Sequence, residues 1–181
     1  MKQFLTIISL FLICNLSNAQ HSDRFKKIVS ELEEIESKPD TIFYGNGKIW
    51  WISTITTYKY NSENYSTHSG KQTQYYKNGQ IASEVFLGKY GNIISWNSYD
   101  RDGNKTSESI TTEIDSQANN LTEFFESDEH ISFKRNEKYY KCSYKLQVCY
   151  LFKEGQTVNG KKVGLWKTFN ENGELKKEKN Y

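Results

Sequence analysis

The chain has 181 residues and carries 24 Lys+Arg against 22 Asp+Glu, a net charge of +2, so no overall field draws it to nucleic acid. Hydrophobic residues make up only 36% while aromatics reach 15%, with 13 Tyr, 10 Phe and 4 Trp. That balance argues against a thick globular core and for a thin, half-exposed sheet, because Tyr and Trp bury a ring while keeping a polar edge in water. The single Pro and the frequent Thr, Ile and Tyr also suit strands.

The first residues, "MKQFLTIISLFLICNLSNAQ", place one Lys before an apolar run from Phe4 to Leu16 and then small and polar residues up to Ala19. This is the layout of a signal peptide over residues 1–19, with cleavage after Ala19 and an exported, periplasmic or secreted mature chain. The run falls short of the roughly 20 apolar residues a membrane span needs, so no transmembrane span is expected once the signal is removed. A second element is expected over residues 20–38. Phe25, Ile28, Val29, Leu32 and Ile35 recur at spacings of three and four, the stripe of an amphipathic helix. Ser22 caps its start, and Pro39 ends it at or before Lys38. The stripe covers about two heptads, too few for a coiled coil, and reads as a helix packed on the sheet.

Residues 39–181 follow a different period. "QTQYYKNGQIASE" (72–84), "WNSYDRDGNKTSE" (96–108) and "WKTFNENGELKKE" (166–178) align without a gap. An aromatic recurs at Tyr75, Tyr99 and Phe169, a glycine at Gly79, Gly103 and Gly173, and a glutamate at Glu84, Glu108 and Glu178. Trp96 and Trp166 open two of the segments, where Gln72 opens the other. "FYGNGKI" (43–49) repeats the middle of the pattern with Phe43 and Gly47. Asn-Gly and Asp-Gly between alternating runs are hairpin turn signals, since such turns need positive φ and glycine supplies it without a Cβ clash. Each unit is therefore a hairpin, marginal alone and stable when stacked on its neighbours. Successive units lie 24 residues apart, a period typical of repeat architectures.

The section around 110–155 holds only degraded copies, such as "FFESDEHI" (124–131) and "LFKEGQTV" (151–158). "DSQANNLTEFFES" reads equally well as a short helix with Asn120 as its cap. Cys142 and Cys149 have six residues between them, a spacing that two strands joined by a tight turn bring face to face; in an exported chain this predicts a disulfide.

These residues resemble the variant MORN repeat, with Gly164, Trp166, Phe169, Gly173 and Leu175 in "GLWKTFNENGELKKEKNY" at the motif positions and "YYKNGQIASE" the next best match. The resemblance implies a mostly β fold of sequential antiparallel hairpins in an elongated, twisted sheet. Bacterial members of that family carry an antitoxin-like label from toxin–antitoxin systems. The signal peptide argues against carrying that label over to this chain.

No catalytic pattern stands out. His21, His68 and His130 are isolated, and no H-E-x-x-H or G-x-S-x-G is present. Asp100, Asp102 and Asn104 have an alternate spacing, but Gly103 falls at the fourth place rather than the sixth of a calcium loop. No metal or cofactor is expected. The reading is a non-catalytic, exported scaffold that binds another protein, with a glycan- or cell-wall-binding module using exposed aromatics as the alternative.

Overall fold

The computed structural model describes residues 21–60, 62–126 and 130–181. The expected leader, its cleavage point after Ala19, and Asp128 of the degraded copy lie outside them. Ten antiparallel strands form one open sheet in strict chain order, each paired with the strand before and after it. They are β1 (Glu33–Phe43), β2 (Ile49–Tyr60), β3 (Glu63–Tyr75), β4 (Ile81–Leu87), β5 (Ile93–Tyr99), β6 (Lys105–Ser116), β7 (Ile131–Ser143), β8 (Val148–Val158), β9 (Lys161–Phe169) and β10 (Leu175–Asn180). Two short helices, α1 (Asp23–Ser30) and α2 (Leu121–Glu126), complete the fold. Neither is long and apolar enough to cross a membrane.

Five hairpins share one geometry. Their closing pairs are Phe43↔Ile49, Tyr75↔Ile81, Leu87↔Ile93, Tyr99↔Lys105 and Phe169↔Leu175, and in every case the register shifts immediately behind the pair. In each five-residue loop the glycine N–H bonds back three residues, as in Gly79 to Tyr76 O at 2.9 Å, and the first N–H bonds to the fifth carbonyl, as in Tyr76 to Gln80 O at 2.8 Å. Only the glycine has positive φ (94° at Gly79), and the preceding Asn keeps an ordinary backbone and caps the loop, accepting Gln80 N–H on its side chain. This is a type I turn followed by a glycine bulge, not the two-residue turn that Asn-Gly first suggests. The loop Gly88–Asn92 is the copy that was missed: Leu87 replaces the aromatic and Gly91 takes the turn. It halves the 24-residue period into two hairpins of twelve residues each, pointing to opposite ends of the sheet.

The N-terminal helix is shorter than expected. It runs over Asp23–Ser30 with Ser22 accepting Phe25 N–H, and Phe25, Ile28, Val29 and then Leu32 are buried. Ile35, the last residue of the expected stripe, is 54% exposed on β1. Glu33–Lys38 is strand, not helix, because pairing with β2 satisfies its backbone over a longer stretch than one more helical turn would. Pro39 ends no helix; it sits within an edge strand, where a missing N–H is tolerated.

The degenerate middle turns out to be where the core is built. The short-helix reading holds: Asn120 caps α2 through Glu123 N–H, and Glu123 reaches back to Asn119 N–H. Gly155 of the "LFKEGQTV" copy lies inside β8 rather than in a turn. α1 and α2 cover one face of the sheet, and Phe25, Ile28, Leu32, Leu121 and Phe124 pack there against Tyr58, Ile114 and Ile131. The cover is pinned by Ser22 N–H to Ile114 O (2.8 Å) and by Lys89 Nζ to Leu32 O (2.7 Å).

Candidate binding surface

At one end of the sheet the turns stand in a row, and each reaches for the next. Tyr44 Oη donates to Tyr75 O (2.6 Å) and Tyr76 Oη to Tyr99 O (2.7 Å). The Lys77 ammonium lies 5.8 Å from the Tyr44 ring centre and the Arg101 guanidinium 6.0 Å from that of Tyr76. The row ends at Asp100, whose carboxylate accepts the N–H groups of Asp102 and Asn104 and the Asn104 amide. Those bonds, the Asn104 amide foremost, lower its pKa. The Asp100 oxygens of the spacing that suggested calcium are thus committed to the turn, and no group of three His, Cys, Asp or Glu able to hold a metal occurs among the described residues.

The recurring glutamates tie neighbouring strands together. Glu84 accepts from Lys71 (2.6 Å) and Tyr99 (3.2 Å), and the Lys71 hydrogen bond leads in lowering its pKa. Glu108 meets Lys105 (2.9 Å) and Lys138 (3.5 Å); burial raises its pKa, but those two cations outweigh burial and the net shift is downward. Glu178 lies opposite Lys167 across β9–β10.

The end of the β1–β2 hairpin is unusually apolar. Phe43 (57% exposed), Ile42, Ile49, Trp50 and Ile52 are all exposed there. Trp50 is the extra residue of the bulge opposite Ile42 and Phe43, so strict alternation with Trp51 breaks down. The two indoles lie 6.4 Å apart, within a run of ring contacts from Tyr44 through Trp50 and Trp51 to His68. His68 Nδ1 is 3.0 Å from Ser53 Oγ, and His21 sits edge-on to Phe25. Burial lowers the His21 pKa, with the Lys26 charge adding to it.

The C-terminal hairpin is different. Trp166 is buried, donates to Gln156 O (2.9 Å), and lies over Gly155. Between the pairs Glu154↔Lys167 and Gln156↔Val163, three residues of β9 stand against the single Gly155, and this bulge turns the indole inward. Around it stand Lys153 and Lys162, 5.2 Å and 4.7 Å from its ring, and Lys162 and Lys179 over Tyr181. Cys142 and Cys149 face each other across β7–β8 with Cα atoms 3.8 Å apart and are joined as a disulfide.

The remaining recurring residues fall where the hairpins need them. Gly47, Gly79, Gly103 and Gly173 all occupy the positive-φ place of their turns. Phe43, Tyr75, Tyr99 and Phe169 close the hairpins, and Trp96 is 43% exposed on β5. They are distributed along the whole array and do not converge on one point. The sequence "IWWIS" leads one to expect one of Trp50 and Trp51 in the core and the other exposed, but not the further exposed apolar residues Ile42, Phe43 and Ile49 at the same hairpin end.

A repeated closing pair and a glycine bulge at the fourth loop position define the unit, and a glutamate five residues after the glycine joins them in three of the five hairpins. Residues 69–87 and 162–181 match the family model of the MORN repeat variant. The two MORN-variant segments take in the second half of β3 with β4, and β9 with β10, both of them glycine-bulge hairpins. Comparison with curated proteins and with solved structures returned no match. The sequential strand order and the other three hairpins of the same geometry are consistent with further units of the same kind.

Proposed function

We propose that the protein is an exported, non-catalytic scaffold that binds another protein through the apolar end of the β1–β2 hairpin. MORN-type repeats commonly serve as binding modules, which supports a scaffold role. The observation that carries the reading is the exposure of Ile42, Phe43, Ile49, Trp50 and Ile52 together at one hairpin end. Exposed apolar side chains gathered at one end cost free energy in water and mark an interaction surface, and an exposed indole among them is a frequent anchor of protein interfaces. Stacked hairpins hold it on a rigid frame, so little ordering opposes association.

The test uses the mature chain, beginning at Gln20, as bait in an envelope extract. A stoichiometric protein complex on size exclusion is expected, lost with Trp50→Ala and kept with Trp96→Ala. Co-sedimentation with an insoluble polysaccharide, abolished by the same Trp50→Ala, would favour the glycan-binding alternative instead. Saturable turnover of a small substrate that one substitution removes would defeat both.

A further inference from the structure

We infer that the free edge of β10, with the lysines beside it, receives an extended acidic segment of a protein partner as an eleventh strand. This deepens the protein-binding reading and rests on it, at a surface far along the array from the β1–β2 patch. β10 is the outermost strand of the open sheet, its outer side has no paired strand among the described residues, and all six of its residues are exposed. An unpaired edge is a template for a further strand. Within β10, Lys177 and Lys179 lie opposite Thr168 and Trp166, and with Lys153 they line a groove of about 110 Å³ beside Trp166 and Tyr181. Lys162 completes the group from over the same two rings.

None of the four lysines forms an ion pair among the described residues. Glu137, on β7, is engaged by Ser109 and Thr157. Crowding shows in the protonation: the close neighbour Lys162 foremost, then desolvation and the charges of Lys179 and Lys177, hold Lys153 below the ordinary lysine value. Lysines on an edge strand also serve to keep other edges away. That purpose accounts for Lys177 and Lys179 but not for Lys153 and Lys162, which stand on inner strands and extend the positive charge back over the aromatic floor. A strand laid along β10 points every second side chain to this face, so carboxylates at alternate positions would meet the lysines. Carboxylates there would relieve the like-charge repulsion, and the backbone would gain the hydrogen bonds that β10 lacks. The opposite edge of the sheet is acidic (Glu33, Glu34, Glu36 and Asp40), but Pro39 within its strand has no N–H to donate, which disfavours a second copy as the occupant.

The probe is a synthetic octapeptide of alternating Thr and Glu, with its Thr-Lys counterpart, inorganic polyphosphate and a sulfated polysaccharide as comparisons. Binding is followed by fluorescence anisotropy, and amide hydrogen exchange is read over residues 175–180. The Thr-Glu peptide is expected to bind, to weaken as salt rises, and to slow exchange in β10. Lys153→Glu combined with Lys162→Glu is expected to weaken it at least tenfold while circular dichroism stays unchanged. Absence of binding, binding without β10 protection, or polyphosphate binding with the peptide inert would each overturn the inference. So would self-association that protects residues 33–43, which would make the occupant a second copy. A partner captured from the envelope that is lost with Trp50→Ala yet indifferent to the lysine variants would keep the scaffold and overturn only this site.

Discussion

Trp96 and Trp166 occupy the same place in the repeat, yet one is 43% exposed and the other 2%. The difference lies on the neighbouring strand. Trp96 faces Val85 and Ser109, whose side chains and regular pairing leave the indole standing on the sheet. Trp166 faces Gly155, where a Cβ would come within 2.3 Å of the indole, and the missing side chain is the hole the ring fills. One motif thus yields a surface ring in the middle of the array and a buried anchor at its C-terminal end. The repeat specifies where a ring starts, and the partner strand decides how deep it goes.

The comparison is most easily broken by deleting each ring. Trp166→Ala is expected to cost about 3–5 kcal/mol, the range for large-to-small changes at buried positions. Trp96→Ala should stay below about 1 kcal/mol, as surface changes do. Urea denaturation of both variants measures the gap, and equal losses would mean that burial does not distinguish the two. Next in size, Gly155→Val should cost about 2–3 kcal/mol by overpacking. With Trp50, Trp51 and Trp96 replaced by Phe, it should also move the emission of Trp166 to the red. An unshifted spectrum would show that the bulge, not the glycine, seats the ring. Smallest is Gly173→Val, at about 1–2 kcal/mol, because φ is 82° and no heavy atom lies within 4 Å of the added Cβ. Its cost is backbone strain alone, so Gly173→Asn, which tolerates positive φ better, should recover part of it in the same measurement.

Much of the array was legible in the chain. Gly79, Gly103 and Gly173 and the aromatics four residues ahead of them are spaced by the loop itself, a local constraint that survives in any context. The Gly88–Asn92 turn escaped because Leu87 replaces the aromatic, and the closing position needs only a large apolar residue. The helix was overextended because Ile35 fits a helical period and an alternating one equally well, and only the presence of β2 alongside decides between them. The apolar end of β1–β2 was not recognised because exposure is a property of what lies across the sheet.

Local chemistry written in the sequence was enough to determine the turns, the alternation between them and therefore a meander of stacked hairpins, since each depends on residues within about a dozen positions of one another. The cross-strand placement of Cys142 opposite Cys149 belongs to the same class. Only the tertiary structure decided that Leu121–Glu126 and Asp23–Ser30 close over one face as the core, that Gly155 admits Trp166, and that four lysines from three strands converge beside β10. Each of these joins residues distant in the chain or depends on a bulge, and a one-residue shift of register turns a strand's side chains to the other face.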